Sequence, residues 1–362
     1  MFSIKCVVWA VLACVSVLCG IQAQASSFVP ADDPNIVYMG RTSWRTPGRV
    51  SFTYPGVSIF ADFEGTSLQM KAKPGSGDFM VEIDSGLPFR IHFAAADSVI
   101  TLAEGLAEGT HSVRLMYAVE GHEFRPEFRG FYLDDGKKLA AAPQLPQRRI
   151  EFIGNSITCG YGIESEDRDA PFTYDTENHY YTYAALTARA LEAQHLVVAR
   201  SGIGVYRNYG SSVSGSLDCM PAMYEQTLFL DSTELWNHDL YTPDVVCINL
   251  GTNDVSEDKY DEKLLTNAYR SFAAHIRATY PKAKIVMLTG CMLNGKQLDV
   301  VKTVLDTIVA ERRAMGDSNI FRFDFTPQTG TLGYAPGWHP TMRQHRKMNV
   351  ELTTYLKKLM NW

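Results

Sequence analysis

Apolar and polar residues follow two different rhythms along this chain. From about residue 36 to 142 the apolar runs are short and broken by Gly, Pro and Asp: "RVSFTYPG" (49–56), "VSIFADFEG" (57–65), "SLQMKAKPG" (67–75), "DFMVEIDSG" (78–86), "LPFRIHFAA" (87–95), "HSVRLMYAVEG" (111–121) and "FRGFYLDDG" (128–136). Runs of this length, separated by turn residues, predict an antiparallel β-sandwich. After the stretch "AAAPQLPQRR" (140–149) the apolar runs lie far apart: "IEFIG" at 150, "LVVAR" at 196, "DVVCINLG" at 244, "KIVMLTG" at 284 and "IFRFDF" at 320. Helical periodicity fills the gaps at 180–193, 261–280 and 299–315, and "HRKMNVELTTYLKKLM" closes the chain. Strand and helix alternating at this spacing predict a parallel sheet with helices on both faces. The expected organisation is a leader (1–25), a β-sandwich (26–142), a linker (143–149) and an α/β domain (150–362).

The leader is read from Lys5, the apolar run Val7 to Leu18 and the small-x-small site Ala23-Gln24-Ala25. These are the parts of a secretory signal peptide cut after Ala25. A lipoprotein alternative would use Cys14 or Cys19, but Leu18 is bulky before Cys19 and Cys14 comes early. No later segment approaches the roughly 18 apolar residues a membrane span requires. A 46% hydrophobic and 11% aromatic composition supplies two cores, and a formal charge of −6 argues against nucleic acid or anionic membranes as partners. Cys159, Cys219, Cys247 and Cys291 remain after the leader; their scatter fits neither a disulfide framework nor a zinc site, and no metal or other cofactor is expected. Nothing in the sequence specifies an oligomeric state.

In an open α/β sheet the ligand site forms beyond the carboxyl ends of the strands. There the chain places Gly154-Asn155-Ser156, Ser201-Gly202-Ile203-Gly204, Gly251-Thr252-Asn253-Asp254 and, past the last strand, Trp338-His339-Pro340. A serine at a strand-to-helix turn is usually an N-cap, "GTND" can be a loop in which Asp254 caps a helix, and His-Pro is commonly a surface pair. Convergence on one edge changes that reading. Acyl transfer to a serine needs a nucleophile, a base and oxyanion donors. Ser156 is then the nucleophile and His339 the base. The N–H groups of Ser156 and Gly204, with the Asn253 amide, form the oxyanion hole. Aromatics border these segments at Tyr161, Phe172, Tyr174, Tyr180, Tyr181, Tyr206, Tyr209 and Trp338; Trp338 and Tyr206 are the expected substrate contacts, whereas Tyr180, Tyr181 and Tyr183 read as packing.

Ser156 in "GNSIT", Gly204 in "SGIGVYRNYG", Asn253 in "GTND" and His339 in "WHP" resemble, in order, the four blocks of the SGNH or GDSL-like hydrolases. The preceding half, with "YPGVSIFADFEGTSL", resembles the jelly-roll domain of carbohydrate esterase family 2 acetylxylan esterases. That resemblance implies a flavodoxin-like catalytic sheet behind a jelly roll, and a secreted, metal-independent deacetylase of acetylated xylan or glucomannan. One departure is plain. SGNH enzymes carry an Asp three residues before the histidine, or two before it in relatives of this family, and here those positions are Pro336 and Gly337. The expectation is a Ser-His dyad whose tautomer a main-chain carbonyl fixes, with Asp324 as the reserve acid. The alternatives are a carbohydrate-binding protein with a decayed esterase site and a lipase-like esterase preferring longer acyl chains.

Overall fold

The computed structural model describes residues 26–257 and 259–362; the expected leader, with its cleavage point after Ala25, lies outside the described residues. Before residue 135 the chain forms two five-stranded antiparallel sheets. One holds β1 (Ser26–Pro30), β3 (Val50–Ser51), β5 (Leu68–Ala72), β8 (Val99–Ala103) and β10 (Glu127–Asp134), in the order β1-β10-β5-β8 with β3 also paired to β10. The other runs β2 (Val37–Met39), β4 (Ser58–Gly65), β9 (Gly109–Tyr117), β6 (Gly77–Ile83), β7 (Phe89–Phe93). Period-2 alternation explains the layering: in β5, Leu68, Met70 and Ala72 are buried while Gln69 and Lys71 are not. Phe52, Phe63, Phe79, Phe93 and Phe128 fill the space between the sheets with Tyr117, whose ring meets Phe79 edge-on at 5.1 Å.

The second half is a five-stranded parallel sheet of β11 (Arg148–Gly154), β12 (Ala193–Ala199), β15 (Val245–Asn249), β16 (Lys284–Thr289) and β17 (Ile320–Asp324). Its order, β12-β11-β15-β16-β17, is the flavodoxin-like one. β12 and β15 are buried at every position because both faces are covered. Helices α2 (Tyr183–Ala190) and α6 (Met342–Met360) pack together on one face, and α4 (Glu262–Thr279) and α5 (Gly295–Ala314) on the other. The chain passes from β11 outward to β12, then returns to the other side of β11 as β15. This reversal opens a crevice at the carboxyl ends of β11 and β15. An antiparallel hairpin, β13 (Gln226–Leu228) and β14 (Asp231–Leu235), is inserted before β15, preceded by the short helix α3 (Met220–Met223).

Candidate active site

The end of β11 turns sharply into α1 (Ser156–Cys159). Gly154 is required at the turn, since a Cβ there would stand 2.0 Å from Thr158 Oγ1. Asn155 caps the helix, its Oδ1 accepting from the N–H of Ile157 at 3.0 Å. The capping role therefore falls to Asn155, and the Ser156 hydroxyl is free to donate to His339 Nε2 at 2.8 Å. His339 follows a tight turn in which Gly337 and Trp338 have φ of 60° and 65°, and Ala335 N–H donates to the His339 carbonyl at 2.8 Å. The turn folds the Pro336 carbonyl under the ring, 2.9 Å from Nδ1. A carbonyl oxygen only accepts, so Nδ1 carries the proton and Nε2 keeps its lone pair for the serine. Burial pushes the imidazole down to about 4, against the upward pull of backbone carbonyls at Pro336 and Gly337, so it is neutral at pH 7. The Tyr161 ring stacks on it at 4.3 Å and is itself backed by Phe172 at 4.1 Å.

The loop after β12 ties its backbone N–H groups one by one. Ser201 donates to Glu120 Oε1 at 2.8 Å, Ile203 to the Arg200 carbonyl at 3.3 Å and Gly204 to Asn208 Oδ1 at 3.1 Å. Val205, Tyr206 and Arg207 all donate to the buried Asp254 carboxylate, at 2.9, 2.8 and 3.1 Å. From 201 to 207 only the N–H of Gly202 has no acceptor among the described residues, and Gly202 has φ of 76°. The Ser156 N–H likewise has no acceptor among the described residues. Asn253 donates one Nδ2 hydrogen to the Ile203 carbonyl at 2.8 Å and retains the other. These groups line a cleft of about 340 Å³ bounded by Ser156, Tyr161, Gly202, Tyr209, Asn253, Met292 and His339.

Two expected residues lie elsewhere. Gly204 stands behind the cleft wall with its N–H occupied, and it must be glycine because a Cβ would meet the Arg207 carbonyl at 1.9 Å and Asp254 at 2.7 Å. Tyr206 is buried in the core beneath the loop, its hydroxyl accepting from Asp261 N–H at 2.9 Å. Gly202 and the exposed Tyr209 line the cleft instead; the sequence signal for Gly202 was its place in the glycine turn after β12. Trp338 is half exposed beside the cleft, with the Arg168 guanidinium 4.3 Å from its ring centre. Asp324 accepts from Thr289 Oγ1 at 3.1 Å and pairs with Lys302 at 3.4 Å and with Arg322, and has no contact with His339. Cys159, Cys219, Cys247 and Cys291 are all free and buried. Among the described residues one group could offer donors to a metal: Glu120, Cys159 and Glu177, whose atoms lie within 4.8 Å of one another.

The model of the carbohydrate esterase 2 N-terminal domain matches residues 38–143, and that of the GDSL-like lipase/acylhydrolase family matches 152–347. An acetylxylan esterase/glucomannan deacetylase of Cellvibrio japonicus is 30% identical over 340 residues, which cover 92% of this chain and 91% of that protein. The chain belongs to carbohydrate esterase family 2. The cellulase/esterase CelE of Acetivibrio thermocellus is 36% identical over 94% of this chain, which spans only 41% of that longer protein. A solved family two carbohydrate esterase from Clostridium thermocellum, in complex with cellohexaose, superposes with a TM-score of 0.84 at 35% identity, covering 90% of this chain and 99% of that one. A second, from Cellvibrio japonicus, has a TM-score of 0.85 at 28% identity, covering 94% and 99%. Among the described residues no helix of this family 2 member is long and apolar enough to cross a membrane.

Proposed function

We propose that the chain is a secreted serine esterase that removes O-acetyl groups from plant polysaccharide, acetylxylan or acetylated glucomannan, through an acyl-enzyme on Ser156. In this reading Ser156 Oγ attacks the acetyl carbonyl while His339 Nε2 takes its proton. The tetrahedral oxyanion accepts from the N–H groups of Ser156 and Gly202 and from Asn253 Nδ2. Collapse breaks the bond to the sugar oxygen, which leaves with the proton from Nε2. Water, deprotonated by the same nitrogen, then releases acetate and restores Ser156. Trp338 and Tyr209, both exposed at the rim, offer faces to the glycan, and the leader pattern at 5–25 supports export.

The observation that carries the proposal is the 2.8 Å contact of Ser156 Oγ with a His339 whose tautomer the Pro336 carbonyl holds at 2.9 Å. A binding protein with a decayed site has no need of a neutral, aligned imidazole beside three uncommitted donors. The test is hydrolysis of chromogenic acetate and butyrate esters by the wild type and Ser156→Ala. Acetate should be cleaved faster than butyrate and the variant should be inactive yet folded. An inactive wild type that still binds glycan would favour the binding reading, and preference for butyrate the lipase-like one.

A further inference from the structure

A buried acidic pair reaches from the sandwich to the floor of the cleft. Glu120 lies just past β9, is 4% exposed, and its Oε1 accepts the Ser201 N–H at 2.8 Å. Glu177, fully buried, holds Glu120 in turn: its Oε2 accepts the N–H of Glu120 at 3.2 Å. Two carboxyl groups this close in an interior do not both ionise. Burial, and then the charge of Glu120, hold Glu177 well above the usual carboxylate range. The third member of the group, Cys159, is kept as a thiol by burial.

The position this pair acts on is the residue before Gly202. Ser201 is tied to Glu120, and on the other side Ile203 and Gly204 are tied to Arg200 and Asn208. With both flanks fixed, the free N–H of Gly202 has a set place in the cleft. We infer that Glu120 is a positioning residue for the oxyanion donor: through Ser201, a side chain of the sandwich fixes where the Gly202 N–H stands relative to Ser156. This rests on the esterase reading above, and it gives the N-terminal sandwich a part in the reaction beyond packing.

Reach separates this role from a structural one. Glu120→Gln keeps an acceptor oxygen at the same reach, while Glu120→Asp keeps the carboxyl group and withdraws it by one methylene. kcat, KM and melting temperature are measured on the full chain with a chromogenic acetate ester, together with inhibition by methylboronic acid, whose adduct on Ser156 places an oxygen in the oxyanion site. The expected result is that Glu120→Asp loses about tenfold in kcat with KM within about twofold, a fraction of what a whole oxyanion donor is worth, while Glu120→Gln stays within about threefold. Methylboronic acid affinity should fall with kcat in the Asp variant. The inference is overturned if the Gln variant loses as much as the Asp variant or more, or if the loss appears in KM with kcat and boronate affinity held. Absence of acetate ester hydrolysis by the wild type would instead overturn the esterase reading itself.

Discussion

At the residue scale the chemistry turns on His339, a base with a carbonyl where a triad has a carboxylate. If the Pro336 carbonyl alone orients the ring, no acidic side chain shares the role. His339→Ala should then lower kcat by about 10³ or more, while Asp324→Asn stays within about threefold of wild type, since its partners are Thr289, Lys302 and Arg322. Loss of about 10⁴ in a folded Asp324→Asn protein would reveal a hidden triad. The pH dependence follows from the same ring. Only the neutral imidazole accepts the serine proton, and burial lowers its pKa to about 4, so kcat/KM should hold as pH falls through 6 and drop only near 4. An acid limb centred near 6.5 would mean that the ring is solvated and not buried. That Ser156, Asn253 and His339 meet at one cleft was legible because the first two closely follow apolar runs and the third lies in the segment past the last strand. Gly204 and Tyr206 were misplaced because the sequence does not tell which N–H of a glycine turn is already consumed. That depends on Asn208 and Asp254, whose side chains fold back onto the loop.

At the element scale the strand-to-helix turn at Gly154 sets the nucleophile. Gly154→Ala places a methyl group 2.0 Å from Thr158 Oγ1, so the first turn of α1 must shift and carry Ser156 with it. The expected outcome is a loss of about 1–3 kcal/mol in stability, typical of overpacking, and a fall in kcat larger than the change in KM. Unchanged kinetics and melting temperature would show that the turn has room. β15 and β16 were readable because burial on both faces gives unbroken apolar runs, and α4, α5 and α6 because their periodicity is long. The strands that escaped notice in the sandwich, β1, β2 and β8, all lie at sheet edges, where pairing to a neighbour holds a strand whose own pattern is weak. The β13–β14 hairpin escaped for a similar reason: "DSTEL" is mostly exposed, and pairing with β13 is what makes it a strand.

At the scale of the whole molecule, the sandwich and the α/β sheet meet through buried polar contacts that neither half's pattern announces. His179 N–H donates to the Ala118 carbonyl at 2.7 Å, Arg41 lies within 3.5 Å of Glu151, and Glu120 reaches the oxyanion loop. Separations of 61, 110 and 81 residues hide such pairs from any reading of local pattern. The group at Glu120, Cys159 and Glu177 is read here as a brace for the loop after β12 and not as a metal site. Activity should therefore survive EDTA; loss restored by a divalent ion would assign the cluster to a metal. The central claim, deacetylation through Ser156, is tested most directly by acetate release from acetylated xylan and glucomannan, followed by NMR, for the wild type and Ser156→Ala side by side. The wild type should release acetate and a folded Ser156→Ala protein none above the uncatalysed rate; acetate release by the variant at the wild-type rate would contradict the covalent mechanism.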